Sequence, residues 1–424
     1  MNILITIFTI LTVVFSSDLT LVNDMFSNKK YIEADELIKS LITKDGTNPS
    51  FYEVASKINL KLDDLLLANK NITKAIELDP SNEEYRVFWN KLNDIRSKLN
   101  DAQKSFENGF IDESINAYEK IVVEYSEFAL GYYNFGLIYY RIDDFDNAVY
   151  NFKKALLHNP FNDKYKQSIT NIAAKLTQKG NDEYRRSDYE SAIKFYAKAV
   201  EYDPTFSESR FKIALIKNKL SDYEGAKLIL LDNIFYDKKH VQSFKLLGDV
   251  YMKLGKLDSS IIYYEKSVEI NSNYDKGYYA LGKAYYSSSN YEQALNAFQD
   301  AVQVNNTYSK AYESIGSIYM IKENYLLAIE NYKLSIENNP KSFQSHSKIA
   351  SSYNFLKNYG EAKKFAKSSI DIKSKNASAY YELGIAEKGL GNKVAAKAAF
   401  ENAAKDKKWR KIAKYELTLI EKGL

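Results

Sequence analysis

Large apolar residues recur along this chain at intervals of three and four, and the whole pattern returns every 34 residues. Residues 129–162 show the unit: Tyr132, Phe135, Gly136 and Tyr139, then Ala148, Phe152 and Ala155, then Pro160. The same slots hold Tyr278, Leu281, Gly282, Tyr285, Ala294, Phe298 and Ala301, and again Tyr312, Ile315, Gly316, Tyr319, Ala328, Tyr332 and Pro340. Such spacing puts the apolar residues on one face of a helix, and the polar break inside each unit predicts two short helices joined by a turn. An Asp or Asn stands before the aromatic that opens the second helix, at Asp144, Asp188, Asp222, Asn290, Asn324 and Asn358. These residues are favourable N-caps. Glycine inside a helix costs about 1 kcal/mol against alanine. Its recurrence at Gly136, Gly248, Gly282, Gly316 and Gly384 therefore predicts a place where two helices approach closely, as does the small residue four before the aromatic in Ala192–Tyr196 and Ala294–Phe298.

Aligned on these slots, units fall at 15–48, 49–82, 95–128, 129–162, 173–206, 207–240, 241–274, 275–308, 309–342, 343–376 and 377–410. The first and third are degenerate; Lys98 and Asp101 stand where bulky apolar residues belong. Glu83–Asp94 and Asp163–Ile172 break the period, contain no Gly or Pro, and read as extensions of first helices. The pattern resembles the tetratricopeptide repeat, a 34-residue helix–turn–helix unit with large-Leu-Gly-Tyr in its first helix and Ala, aromatic, Ala and Pro after it. That resemblance implies an all-α fold, a right-handed α-solenoid (superhelix) of helix-turn-helix repeats with a C-terminal capping helix. The organisation expected is a hydrophobic segment over 1–17, repeats over 18–94 and 95–172 each with an elongated helix, seven contiguous repeats over 173–410, and a cap over 411–424. Flexing is expected at the two breaks. Ile412, Tyr415, Leu419 and Ile420 are expected to cover the last repeat. An array can reach this length without splitting into globular domains, because each unit packs on its neighbours.

Composition narrows the chemistry. Only 5 Pro and 16 Gly in 424 residues suit a chain that is nearly all helix, and most of the 36 Tyr fall in repeat slots, where rings pack and hydroxyls can stay wet. The absence of Cys excludes disulfides, thiolate metal sites and a cysteine nucleophile. A net charge of +4, with no basic stripe shared by successive units, does not fit a nucleic-acid binder. Between Lys393 and Lys422, nine Lys or Arg face four carboxylates, which suits a solubilising cap. At the other end, Ile3 to Phe15 is an apolar run broken only by Thr, followed by Ser16 and Ser17. It reads as a secretory signal with cleavage after Ser16 or Ser17, although no Lys or Arg precedes it. Thirteen residues are short for a membrane span. A buried first helix is the alternative.

No catalytic, cofactor or metal site is expected. There is no Gly-x-x-x-x-Gly-Lys-Ser/Thr phosphate loop, and the glycines follow the repeat. His158, His240 and His346 lie in different units and read as surface residues, while carboxylates such as Glu269 and Glu337 take exposed slots. The resemblance implies that first helices line a concave groove through slots 2, 5, 9 and 12 of each unit. Those slots hold Leu130, Tyr133, Leu137 and Tyr140 in one unit and Lys276, Tyr279, Lys283 and Tyr286 in another. Alternating Lys and Tyr suit an acidic, partly apolar peptide, the alternative being a merely solvated inner wall. The family's clamp for a C-terminal carboxylate is not reproduced. Asn134 occupies one of its slots, but Leu99, Gln103, Ala174 and Gln178 stand where its other polar residues belong.

The function expected is a non-enzymatic protein–protein interaction scaffold of the bacterial cell envelope (the periplasm), holding protein or peptide clients of a larger assembly. The Ile-, Asn- and Lys-rich composition points to an AT-rich, bacterial genome. Membrane contact is expected only peripherally or through an uncleaved N-terminus. The alternatives are a cytosolic adaptor and a regulatory subunit of a separate enzyme.

Overall fold

The computed structural model describes residues 18–422. The hydrophobic segment 1–17, on which the expectation of export rests, lies outside the described residues. Two compact units divide at 206/207. The first contains α1 (18–27), α2 (Tyr31–Lys44), α3 (Pro49–Lys61), α4 (Leu65–Leu78), α5 (Glu83–Glu107), α6 (Ile111–Glu124), α7 (Ala129–Arg141), α8 (Phe145–His158), α9 (Asp163–Arg185) and α10 (Tyr189–Tyr202). The second contains α11 (Ser207–Lys219), α12 (Tyr223–Tyr236), α13 (Val241–Lys253), α14 (Leu257–Ile270), α15 (Asp275–Ser287), α16 (Tyr291–Val304), α17 (Ser309–Ile321), α18 (Tyr325–Asn338), α19 (Phe343–Phe355), α20 (Tyr359–Ile372), α21 (Ala377–Gly389), α22 (Lys393–Ala403) and α23 (Arg410–Glu421). The fold is all-α, an α-solenoid of paired helices. The two stretches that break the period belong to continuous helices, α5 of 25 residues and α9 of 23, and both lie inside the first unit. No described helix is long and apolar enough to cross a membrane.

The mid-helix glycines have a single physical reason. A methyl group at Gly136, Gly180, Gly248, Gly282, Gly316 or Gly384 would sit 2.5–2.6 Å from the ring of Phe152, Tyr196, Tyr264, Phe298, Tyr332 or Phe400 in the paired helix. These rings are almost wholly buried. The tyrosine hydroxyls among them are not left to water, as the sequence suggests. Tyr196 donates to Asn181 Oδ1 (2.8 Å), Tyr264 to Asp249 Oδ1 (2.7 Å) and Tyr332 to Ser317 Oγ (3.3 Å). In each case the acceptor is on the groove side of the first helix of the same unit.

Turns and caps follow local chemistry. Asp144, Asp188, Asp222, Asn324 and Asn358 each accept the backbone N–H three residues on, while Asn290 makes no such bond. The turn between paired helices passes through the left-handed region, at Gly109, Gly255 and Gly391 but also at Asp63, Asp143, Ser289 and Glu323. The last helix is rotated from the expected orientation. Ala413 is buried, and Leu417 and Ile420 pack against the cluster around Phe400, whereas Ile412 and Tyr415 are exposed. Positions 413, 417 and 420 share one helical face by their spacing of four and three.

Candidate functional site

In the second unit, α15 lies beside α13, and the two helices present their groove positions to one cleft of about 530 Å³. Lys276, Tyr279 and Lys283 of α15 line it, together with Lys245, Asp249, Met252 and Lys253 of α13, Asn218 of α11, and Tyr308 just before α17. Three of the four residues expected from the sequence are thus brought together. Tyr286, one turn further along, is exposed and sets its ring edge-on to Tyr291, 5.5 Å away.

The charges in this cleft do not cancel. Asp249 is matched by Lys245 at 2.6 Å, and its other oxygen accepts from Tyr264. Lys253, Lys276 and Lys283 make no ion pair among the described residues. The cleft is thus lined by three lysines with no carboxylate paired to them. Its aromatic wall is held firmly: Tyr279 packs between Phe298 and Tyr308, with ring centroids 5.6 and 5.0 Å away. Burial raises the pKa of Tyr279 and pushes that of Tyr308 up to about 12, with the neighbouring Tyr279 adding to the latter. Both phenols therefore stay protonated and can donate. Asn218 Oδ1 is buried at the edge of the cleft without a hydrogen-bond partner.

The other expected groove, in the first unit, is built differently. Leu130, Tyr133, Leu137 and Tyr140 are all half-buried and packed against core clusters. The Tyr133 ring lies 4.7 Å from Tyr165 and 5.6 Å from Phe152. Tyr140 lies against Phe145 and carries the Lys175 ammonium 5.2 Å above its ring. The first unit also has a cleft of about 400 Å³ that the repeat slots did not single out, with Phe26, Leu60, Phe88 and Phe128 among its walls. Its walls come from the degenerate first repeat, from α3, from the long α5 and from the loop before α7. Slots 9 and 12 of the 49–82 unit, Lys57 and Leu60, were the available signal.

The three histidines are not simple surface residues. His158 is half-buried and stacked on Tyr132, which lowers its pKa by desolvation. His240 caps α13 by accepting from Ser243 N–H. His346 lies against Pro340 O through Nε2 (3.2 Å), with Nδ1 buried and unpartnered. Among the described residues, no three His, Asp or Glu converge as a metal site would require. Among the described residues, Asp203, Glu382 and Glu387 are buried carboxylates that lie away from the two clefts. Glu387 is paired with Lys363, and Glu382 accepts from Asn354 Nδ2 at 2.9 Å.

The tetratricopeptide repeat family matches at residues 129–162, 186–206, 275–308, 309–342 and 343–376, and a related TPR repeat family matches at 248–289. No curated protein matches the chain in sequence. Among solved structures, the chain is similar to MamA, with 26% identity over 40% of this chain and 93% of that one, at a TM-score of 0.37. It is also similar to the C-terminal part of a TPR repeat-containing protein from Cytophaga hutchinsonii, with 18% identity over 57% of this chain and 99% of that one, at a TM-score of 0.47. For yeast Tom70 the identity is 18% over 96% of this chain and 95% of that one, at a TM-score of 0.39. At these scores the likenesses carry nothing about partners.

Proposed function

From the premise that this chain is a tetratricopeptide-repeat protein, and by its fold a protein–protein interaction scaffold, we propose that its second unit holds an acidic, partly apolar segment of a client protein. The observation that carries this reading is the set of unpaired ammonium groups of Lys253, Lys276 and Lys283 around the packed rings of Tyr279 and Tyr308. Carboxylates of the client meet the lysines, while its apolar side chains lie on the ring faces and on Met252. Tyrosine suits this role because its rigid ring supplies contact area and its hydroxyl a donor. The test uses a fluorescent peptide alternating Asp or Glu with Leu or Phe, titrated against the full chain. Binding that weakens with added salt, and by about tenfold or more in K276A/Y279A/K283A, about 1.4 kcal/mol, supports the assignment. Equal affinity in the triple variant removes it.

The reading extends to place. The apolar run Ile3–Phe15 followed by Ser16 and Ser17 supports export to a bacterial cell envelope, where the client would belong to a multiprotein assembly. Cross-linking in native cells followed by mass spectrometry tests both points. A chain that starts near Ser17 and is linked through Lys276 or Lys283 to envelope proteins supports export. Retained Met1 with soluble cytoplasmic neighbours replaces it with a cytosolic adaptor.

A further inference from the structure

We infer that the first unit is docked on itself: the turn after α3 sits against the start of α7 and forms a clasp that closes the groove of the 129–162 unit in cis. Asp63 Oδ2 accepts from Asn159 Nδ2 at 2.6 Å and from Asn162 Nδ2 at 3.2 Å, residues 96 and 99 positions further along the chain. In a repeat array each unit normally touches only its neighbours, yet here the 49–82 unit bonds to the end of the 129–162 unit across an intervening repeat. The helix that breaks the period, α5, lies between them in sequence. Lys61 adds an ion pair to Glu127 at 2.8 Å, but Glu127 is 76% exposed, so this pair is the weaker tie.

The clasp sits at the N-terminal end of α7, where the groove of this unit begins. The Asp63 carboxylate faces the N–H of Leu130, the first of the groove positions read from the sequence in this unit, as well as the hydroxyl of Tyr165. A client cannot take that end of the groove while the turn is seated there. Closure also carries opposing features. Asp63 Oδ1 and the Tyr165 hydroxyl are both buried without a partner at ordinary hydrogen-bond geometry, and a buried unsatisfied oxygen is unfavourable. Opening would uncover Leu130 and widen the cleft bounded by Phe26, Leu60, Phe88 and Phe128.

The chain has no cysteine, so a single labelled pair reports this motion. Ile32 and Phe161 line the shallow cleft beside the clasp and are 48% and 59% exposed, so spin labels on I32C/F161C perturb little. In the full chain this pair is expected to give one short distance. D63G, which keeps the left-handed turn and deletes the carboxylate, is expected to add a longer population. N159A/N162A, which leaves the turn untouched, should do the same. Amide exchange at Leu130 should quicken in both. If both variants fold with unchanged helix content and keep the single short distance, the clasp does not hold the unit closed and the inference fails. The readout involves no peptide in the second unit, so it stands apart from the test of that cleft.

Discussion

The residue that most constrains this molecule is the glycine in the middle of six of the first helices, at Gly136, Gly180, Gly248, Gly282, Gly316 and Gly384. At Gly282 a methyl group would stand 2.6 Å from the ring of Phe298, which is held in place by Tyr279. Alanine would gain about 1 kcal/mol of helix propensity, but overpacking a filled interface costs roughly 1–3 kcal/mol. G282A is therefore expected to destabilise the second unit by up to about 2 kcal/mol in chemical denaturation. A more stable variant would show that the helices can separate without loss. Glu382 gives a second residue-scale prediction. Burial raises its pKa above the ordinary 4.5, and the bond from Asn354 only partly offsets this. A raised carboxyl favours the folded state while it is protonated. Its contribution is thus fully present below about pH 4.5 and lost as pH rises through the raised value. E382Q keeps an oxygen for Asn354 and removes the charge. It should melt higher than the parent at pH 7, by an amount of about 1 kcal/mol, with the difference vanishing below pH 4.5. A constant difference across that range would mean that the charge is not the cause.

At the scale of elements, the helix pairs are legible in the sequence because every determinant is local or repeats. The apolar face, the capping Asp or Asn and the small residue facing an aromatic all recur at fixed offsets, and five of the six expected caps make their bond. The cleft at Lys276, Tyr279 and Lys283 is legible for the same reason, since slots that share a face in one unit line the groove in the next. The closure at Asp63 is not legible. It joins units that are not neighbours, and no offset within a repeat encodes it. Nor does composition reveal that Ala413, rather than Ile412 or Tyr415, faces the last pair, because a small residue fits where α23 comes closest. A413E should accordingly lift the cap from Phe400 and lower the melting transition of the second unit, through an unpaired buried charge; an unchanged melt would show that the cap is not anchored there. The turns offer the opposite change. Ser289 has φ +61°, where a side chain costs about 1 kcal/mol relative to glycine. S289G is expected to stabilise the second unit by an amount of about 0.5–1 kcal/mol, measured by denaturant midpoint.

At the scale of the whole molecule, stability in a repeat array is approximately a sum of helix-pair terms and nearest-neighbour interfaces. The second unit follows that scheme. Phe298 packs with Ile315 and Ile318 of the next pair, while Tyr332 packs with Ile349 of the one after. Among the described residues, no single core cluster spans all its helices. A lesion should therefore be felt locally and fade along the array. With G282A, amide exchange should quicken in α15 and α16, less in α14 and α17, and remain at parental rates in α21 and α22. Uniform acceleration throughout the second unit would mean that it opens as one cooperative body, and that interfaces between pairs outweigh the pairs themselves. Graded acceleration would mean that a client seated on Lys276, Tyr279 and Lys283 stabilises mainly the repeats it touches, because binding protects only what must stay folded to bind. The client's footprint would then be readable as a protected stretch of helices, centred on α13 and α15.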